Sequence, residues 1–290
     1  MSALELSIKR VWLSVLLLAA VDTPAQLVKT SQLTGDEAVC GYAGAMRMLT
    51  AENVRQGLAV ELLAGEAAMS VMTPLRFRVT RKPQDEAVDD LQVEHEKLMH
   101  VIGVRDDLRD FFHIHPQRVA PGLCQVNHTF TNAGRYQIWS DIKHQGTVYS
   151  FAQPRLPVAG AVVPMAYEKV PQLADTKAGF HITLTPPDKL VAGATNRFQV
   201  AIRNAEGTQV GAEFFLGALL HLVVIKDDLT VYAHGHAENH LKGDRDIFFT
   251  QVFPQPGNYK IFTQFRPMKT RLSPDEAILA EFWVKVRKPE

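Results

Sequence analysis

Arg76-Phe77-Arg78-Val79 returns 121 residues later as Arg197-Phe198-Gln199-Val200. His100, the run Asp106-Asp107-Leu108, His113 and His115 return at the same offset as His221, Asp227-Asp228-Leu229, His234 and His236. Phe130, Gly134, Tyr136 and Ile138 return as Phe253, Gly257, Tyr259 and Ile261, the offset having grown to 123. Ordered matches of this kind mean that one folding unit is duplicated, so any architecture must work twice in tandem. The 290 residues are 46% hydrophobic, enough for each copy to bury its own core.

Within each copy, short runs rich in Val, Ile, Phe, Tyr and Thr alternate with Gly, Pro, Asp and Asn clusters, the pattern of strands joined by turns. The runs are 58–63, 75–80, 100–104, 111–115, 136–140 and 147–151, then 180–185, 197–202, 221–225, 232–236, 259–265 and 280–286. About seven strands in about 100 residues predicts an all-β chain of two tandem immunoglobulin-like β-sandwich domains. Gly134-Arg135-Tyr136 and Gly257-Asn258-Tyr259 stand where such a sandwich carries a tyrosine corner. The expected organisation is a signal peptide (1–25), an N-terminal extension (26–57), domain 1 (58–157), a linker (158–177) and domain 2 (178–290). A short helix is expected over 36–56.

The chemistry concentrates in the repeated histidines. The Asp pairs 106–107 and 227–228 read as turns between apolar strands, so each His…His-x-His motif is a hairpin. A two-residue loop sets His100 opposite His113 and a four-residue loop sets it opposite His115. Either register puts all three rings on one face, because residues two apart share a face and cross-strand partners do too. Three neutral imidazoles suit Zn²⁺ or Cu²⁺. Calcium and magnesium want oxygen ligands that the motif lacks. The competing reading is architectural, with histidines that only specify the hairpin through hydrogen bonds. His95, Met99 and His128 are weaker candidates to complete a site in copy one, and His240 in copy two.

Lys9 and Arg10, the apolar run 11–21 and Thr23-Pro24-Ala25 have the order of a cleaved export signal. The apolar run is shorter than the roughly 20 residues of a membrane span. A periplasmic or secreted mature chain is expected, without a membrane span after cleavage. There Cys40 and Cys124 either pair as a disulfide or remain buried thiols. Lys plus Arg equals Asp plus Glu at 31 each, so no net field draws the chain to nucleic acid. The expected partner is a metal ion or an extracytoplasmic protein. Nucleophile elbows, P-loops and dinucleotide fingerprints are missing, and the cupin, blue-copper and copper–zinc dismutase patterns fail on their remaining ligands.

The segment His95-Glu96-Lys97-Leu98-Met99-His100-Val101-Ile102, with Asp107-Leu108 and Phe112-His113-Ile114-His115-Pro116, resembles a poorly characterised bacterial family of secreted domains. Leu216-Gly217-Ala218-Leu219-Leu220-His221-Leu222-Val223 with His234-Gly235-His236 is similar to its second-domain version. The resemblance spans about residues 58–287. It implies immunoglobulin-like or cupredoxin-like domains, some of them in copper or other heavy-metal contexts, and points to the same two histidine triads. Pro116 is matched by Ala237, a departure that weakens any claim that the two sites share one shape. The leading functional expectation is an exported copper or zinc protein with one site per domain, in metal handling or resistance. The alternative is a non-catalytic structural or interaction module. A metal-dependent enzyme ranks third, with Glu96, Asp110 or Glu238 as nearby carboxylates.

Overall fold

The computed structural model describes residues 47–48, 54–55, 57–162, 170–238, 241–268, 270–273 and 275–290. The expected signal peptide, Cys40 and His240 lie outside them. Residues 39–290 form one compact unit. Every regular element among the described residues is a strand, and none is a helix long and apolar enough to cross a membrane. Within the extension, where a helix was expected, Arg47–Met48 and Val54–Arg55 are strands instead. Arg47 pairs with Tyr232, so the extension adds a strand to the sheet of domain 2.

Each repeat is a two-sheet sandwich. Six strands carry the argument: β1 (Met99–Arg105), β2 (Phe111–Ile114), β3 (Gly134–His144), β4 (His221–Lys226), β5 (Val231–His236) and β6 (Gly257–Pro267). In domain 1, β2, β1 and β3 lie side by side, with β3 also pairing Leu156–Ala159 and Thr147–Ala152. The second sheet of this domain centres on Leu58–Ala64, Met72–Arg81 and Leu123–Thr129. Domain 2 repeats the arrangement with β5, β4, β6 and Ile278–Val286 over a sheet centred on Phe180–Thr185, Thr195–Arg203 and Asp246–Val252. The strand Leu156–Ala159 runs into the segment expected to be linker, and the strand Ala174–Lys177 lies within it. Both tyrosine corners are made. Tyr136 Oη donates to Asn132 O at 2.8 Å and Tyr259 Oη to Gln255 O at 2.7 Å, each four residues upstream.

Sandwich strands normally alternate buried and exposed, as Met72–Arg81 does over most of its length. Strand β1 is buried at all seven positions and β4 at five of its six. One face of β1, carrying Met99 and Val101, fills the core of domain 1. The other carries Ile102 and Val104 into a third core, shared with Val223, Ile225, Tyr232 and Phe262 of domain 2. The two domains therefore dock through their β1–β3 and β4–β6 sheets. Trp139 stacks on Tyr232 (centroids 4.7 Å apart) and Phe111 on Phe262 (4.4 Å). By the repeat offsets Trp139 is equivalent to Phe262 and Phe111 to Tyr232, so both stacks are one contact made twice. This reciprocity is the mark of an isologous interface, here between two halves of a single chain.

The copies also exchange volume across the hairpin. Gly103 faces Phe112 and, at the equivalent pair, Val224 faces Ala233. A β-carbon on Gly103 would lie 2.1 Å from the Phe112 ring. Gly103→Ala is expected to cost about 1–3 kcal/mol by overpacking. Urea unfolding should show Gly103→Val with Phe112→Ala, which imitates copy two, costing less than the two single changes summed.

Candidate metal centre

Both hairpins take the wider of the two expected registers. Val101 pairs with Ile114 and Ile102 with His113, which leaves His100 level with His115, and His221 pairs directly with His236. The four-residue loops turn through Leu108 and Leu229, at φ of 58° and 64°. All six repeated histidines thus leave their hairpins on the face that meets the other domain.

The result is one cluster at the interface. Nitrogens of His100, His113 and His115 converge within 4.8 Å of one another, and so do those of His95, His221 and His236. His234 stands between the groups, its ring centroid 5.0 Å from His113, 5.3 Å from His100 and 5.2 Å from His236. A cavity of about 180 Å³ borders both groups, lined by His95, His100, Asp141, Lys143, His234 and His236 among others.

Hydrogen bonds behind the rings set which nitrogens are bare. His100 Nε2 donates to Glu94 O (2.9 Å) and His221 Nε2 to the equivalent Phe215 O (2.8 Å), leaving each Nδ1 as a lone pair. His113 Nδ1 donates across the interface to Gln264 Oε1 (2.7 Å), which bares its Nε2. His100 Nδ1 lies 3.0 Å from His113 Nε2, and His115 Nε2 lies 3.2 Å from the same atom. Two lone pairs thus face each other, and only His115 has a proton to offer among the three converging nitrogens. Neutral rings alone gain nothing from that contact, whereas a cation between them does. A tetrahedral zinc site with bonds of about 2.0–2.1 Å separates its nitrogens by about 3.3 Å, close to what is found. In the other half, His221 Nδ1, His234 Nε2 and His236 Nε2 are buried without a hydrogen-bond partner among the described residues. Each such group costs about 1–3 kcal/mol unless something satisfies it.

Protonation does not relieve His100, His113, His115, His221 or His236 at neutral pH. Burial, reinforced by neighbouring rings, lowers His100 to about 4 and His115 to about 3. The same causes hold His113, His221 and His236 well below the ordinary imidazole value. Asp141 is buried, which would raise its pKa, yet contacts from His234, Ser150 and Tyr232 hold it below the ordinary carboxylate range. As a carboxylate it accepts from Tyr232 Oη (2.7 Å) and His234 Nδ1 (3.0 Å) of the other domain. Carboxylate–histidine pairing of this kind typically orients a metal ligand and raises its basicity.

The pattern of the domain of unknown function DUF8832 matches residues 52–154 and again 174–288, most of the chain. The chain belongs to this family. No curated protein matches it. Among solved structures it is similar to the Escherichia coli adhesin FdeC, at 12% identity over 86% of this chain and 66% of that one, with a TM-score of 0.26. It is also similar to E. coli alpha-2-macroglobulin (10% identity, 81% and 17% covered, TM-score 0.25) and red sea bream transglutaminase (9%, 81% and 32%, TM-score 0.24). The chain spans less than two thirds of each of these proteins, and overlaps this loose carry no functional argument.

Each DUF8832 repeat thus supplies three histidines, but their grouping departs from one site per domain. His234 is not in the second triad. His95, expected to complete a site in copy one, crosses the interface and stacks on His236 at 3.5 Å. Met99 is no ligand candidate: strand alternation turns it away from His100 into the sandwich core, where it is fully buried. His128 packs on Phe112 and Phe130, away from the cluster. Cys124 is buried, with no disulfide partner among the described residues. Asp141 and Gln264 escaped the sequence reading. A signal was present, since both are polar residues at the same repeat position, three residues after Ile138 and Ile261.

Proposed function

We propose that this DUF8832 protein is an exported metal-binding protein that holds Cu²⁺ or Zn²⁺ in the histidine cluster between its domains. The observation that supports this reading is the His100–His113 contact, where carbonyl and amide acceptors fix both tautomers so that lone pairs converge. Buried imidazoles, hydrogen-bond acceptors behind them in both domains and a bordering cavity as entry path meet the usual requirements of a metal site. Export rests on the leader-like segment before Ala25.

A specific observation favours a second reading. The interface has its own apolar core and two aromatic stacks, which hold the domains together without an ion. In that reading the tandem domains form a rigid interaction module and the histidines are architectural.

Calorimetric titration of untagged residues 26–290 with Zn²⁺ and Cu²⁺ separates the two. Wild type is expected to bind, and His113→Ala to lose at least tenfold in affinity. At free metal 100-fold above Kd, binding adds about 2.7 kcal/mol per site, or roughly 5–10 °C in Tm, which chelator reverses. A folded wild type with neither heat nor Tm shift would leave the interaction module standing.

A further inference from the structure

We propose that the cluster holds two ions in inequivalent sites, and that the second site is built across the domain interface with His95 as its cross-domain ligand. This rests on the metal-binding reading above. The pseudo-symmetric interface supplies the argument, because two departures from symmetry in the cluster, at His95 and at Asp141, favour the same half.

Residue 95 is equivalent by the repeat offset to residue 216. Both sit in loops with positive φ, 44° at His95 and 49° at Leu216, so the backbone is repeated while the side chain is not. The loops meet: His95 Nδ1 lies 3.8 Å from where a β-carbon of Gly217 would stand. From there His95 reaches the triad of domain 2, stacking on His236 and meeting His221 edge-on at 5.5 Å. Leu216 offers no such donor to the triad of domain 1. Residues 141 and 264 differ in the same sense, with a carboxylate behind His234 and an amide behind His113.

One ion therefore sits on His100, His113 and His115, all from domain 1. The other sits on His221 and His236 of domain 2 with His95 of domain 1, and His234 Nε2 stands between them as a further donor. The two groups are neighbours, the ring centroids of His113 and His221 being 6.0 Å apart, so the ions lie close enough for their spins to interact.

The test is a Cu²⁺ titration of the full chain, read by stoichiometry and by electron paramagnetic resonance, in wild type and His95→Leu. That change copies the residue already present at position 216. Wild type is expected to take up two ions and give a coupled-pair spectrum. His95→Leu should take up one, with an isolated-ion spectrum, and loading of the remaining site shows that the variant is folded. Two ions bound by His95→Leu as tightly as by wild type would overturn the cross-domain site. Two non-interacting ions in wild type would overturn the paired arrangement and leave the metal reading intact. No uptake by folded wild type would remove both.

Discussion

Held free of metal by chelator, the protein is expected to unfold cooperatively as the pH falls from 6.5 toward 4. The folded pKa of His100 is about 4 against an ordinary 6.5. Below pH 6.5 the unfolded chain takes up a proton that the folded protein refuses, so stability falls with pH until the folded pKa is reached. At about 1.4 kcal/mol per unit this is roughly 3 kcal/mol for His100. His115, lowered to about 3, extends the same loss to lower pH. Together they amount to something on the order of 8 kcal/mol by pH 3, against the 5–15 kcal/mol typical of a whole domain. The three rings held well below the ordinary value add in the same direction. Asp141 acts in a lower window: its depressed pKa gives stability that is present above the ordinary carboxylate value and lost as the pH falls through the folded one. Urea titrations at pH 7, 6, 5 and 4 measure the slope, expected near 2–3 kcal/mol per unit around pH 5 from His100 and His115 alone. Stability constant from pH 7 to 4.5 would mean that the rings are solvated and the buried cluster does not exist.

Trp139→Ala should lower the unfolding free energy by about 3–5 kcal/mol, the cost of emptying a large aromatic site in a closed core. Trp139 is fully buried and stacks on Tyr232 of the other domain, so the loss falls on the docking of the domains as well as on domain 1. Trp139→Phe is the informative control. It installs the residue found at the equivalent position, Phe262, and removes an indole N–H that is buried without a partner among the described residues. Its expected cost is under about 1.5 kcal/mol. Denaturant unfolding of both variants, with small-angle scattering to follow domain separation, checks the pair. Equal losses would show that the stack does not hold the interface.

The hairpins were legible because their determinants are local. Asp106-Asp107 and Asp227-Asp228 mark the turns, and alternation along β2 and β5 puts both histidines of each His-x-His on one face. The loop length was left between two registers, and the structure takes the wider through the left-handed Leu108 and Leu229. Leu123–Thr129 and Asp246–Val252 went unread because their polar positions blur the strand pattern. His95 was read as a possible addition to its own repeat, since sequence proximity to His100 says nothing about what lies across an interface.

The amino-acid sequence by itself determined the duplication, the all-β character and the sharing of one strand face by each triad. All three follow from short-range periodicity and turn chemistry. Tertiary structure alone decided that the two faces meet, that His95 joins the triad of the other domain, and that Asp141 and Gln264 stand behind His234 and His113. Runs such as Val101 to Val104 and Leu222 to Ile225 are apolar on both sides of their strands. Such a pattern says that both sides are buried, but what covers the second side depends on contacts more than a hundred residues apart.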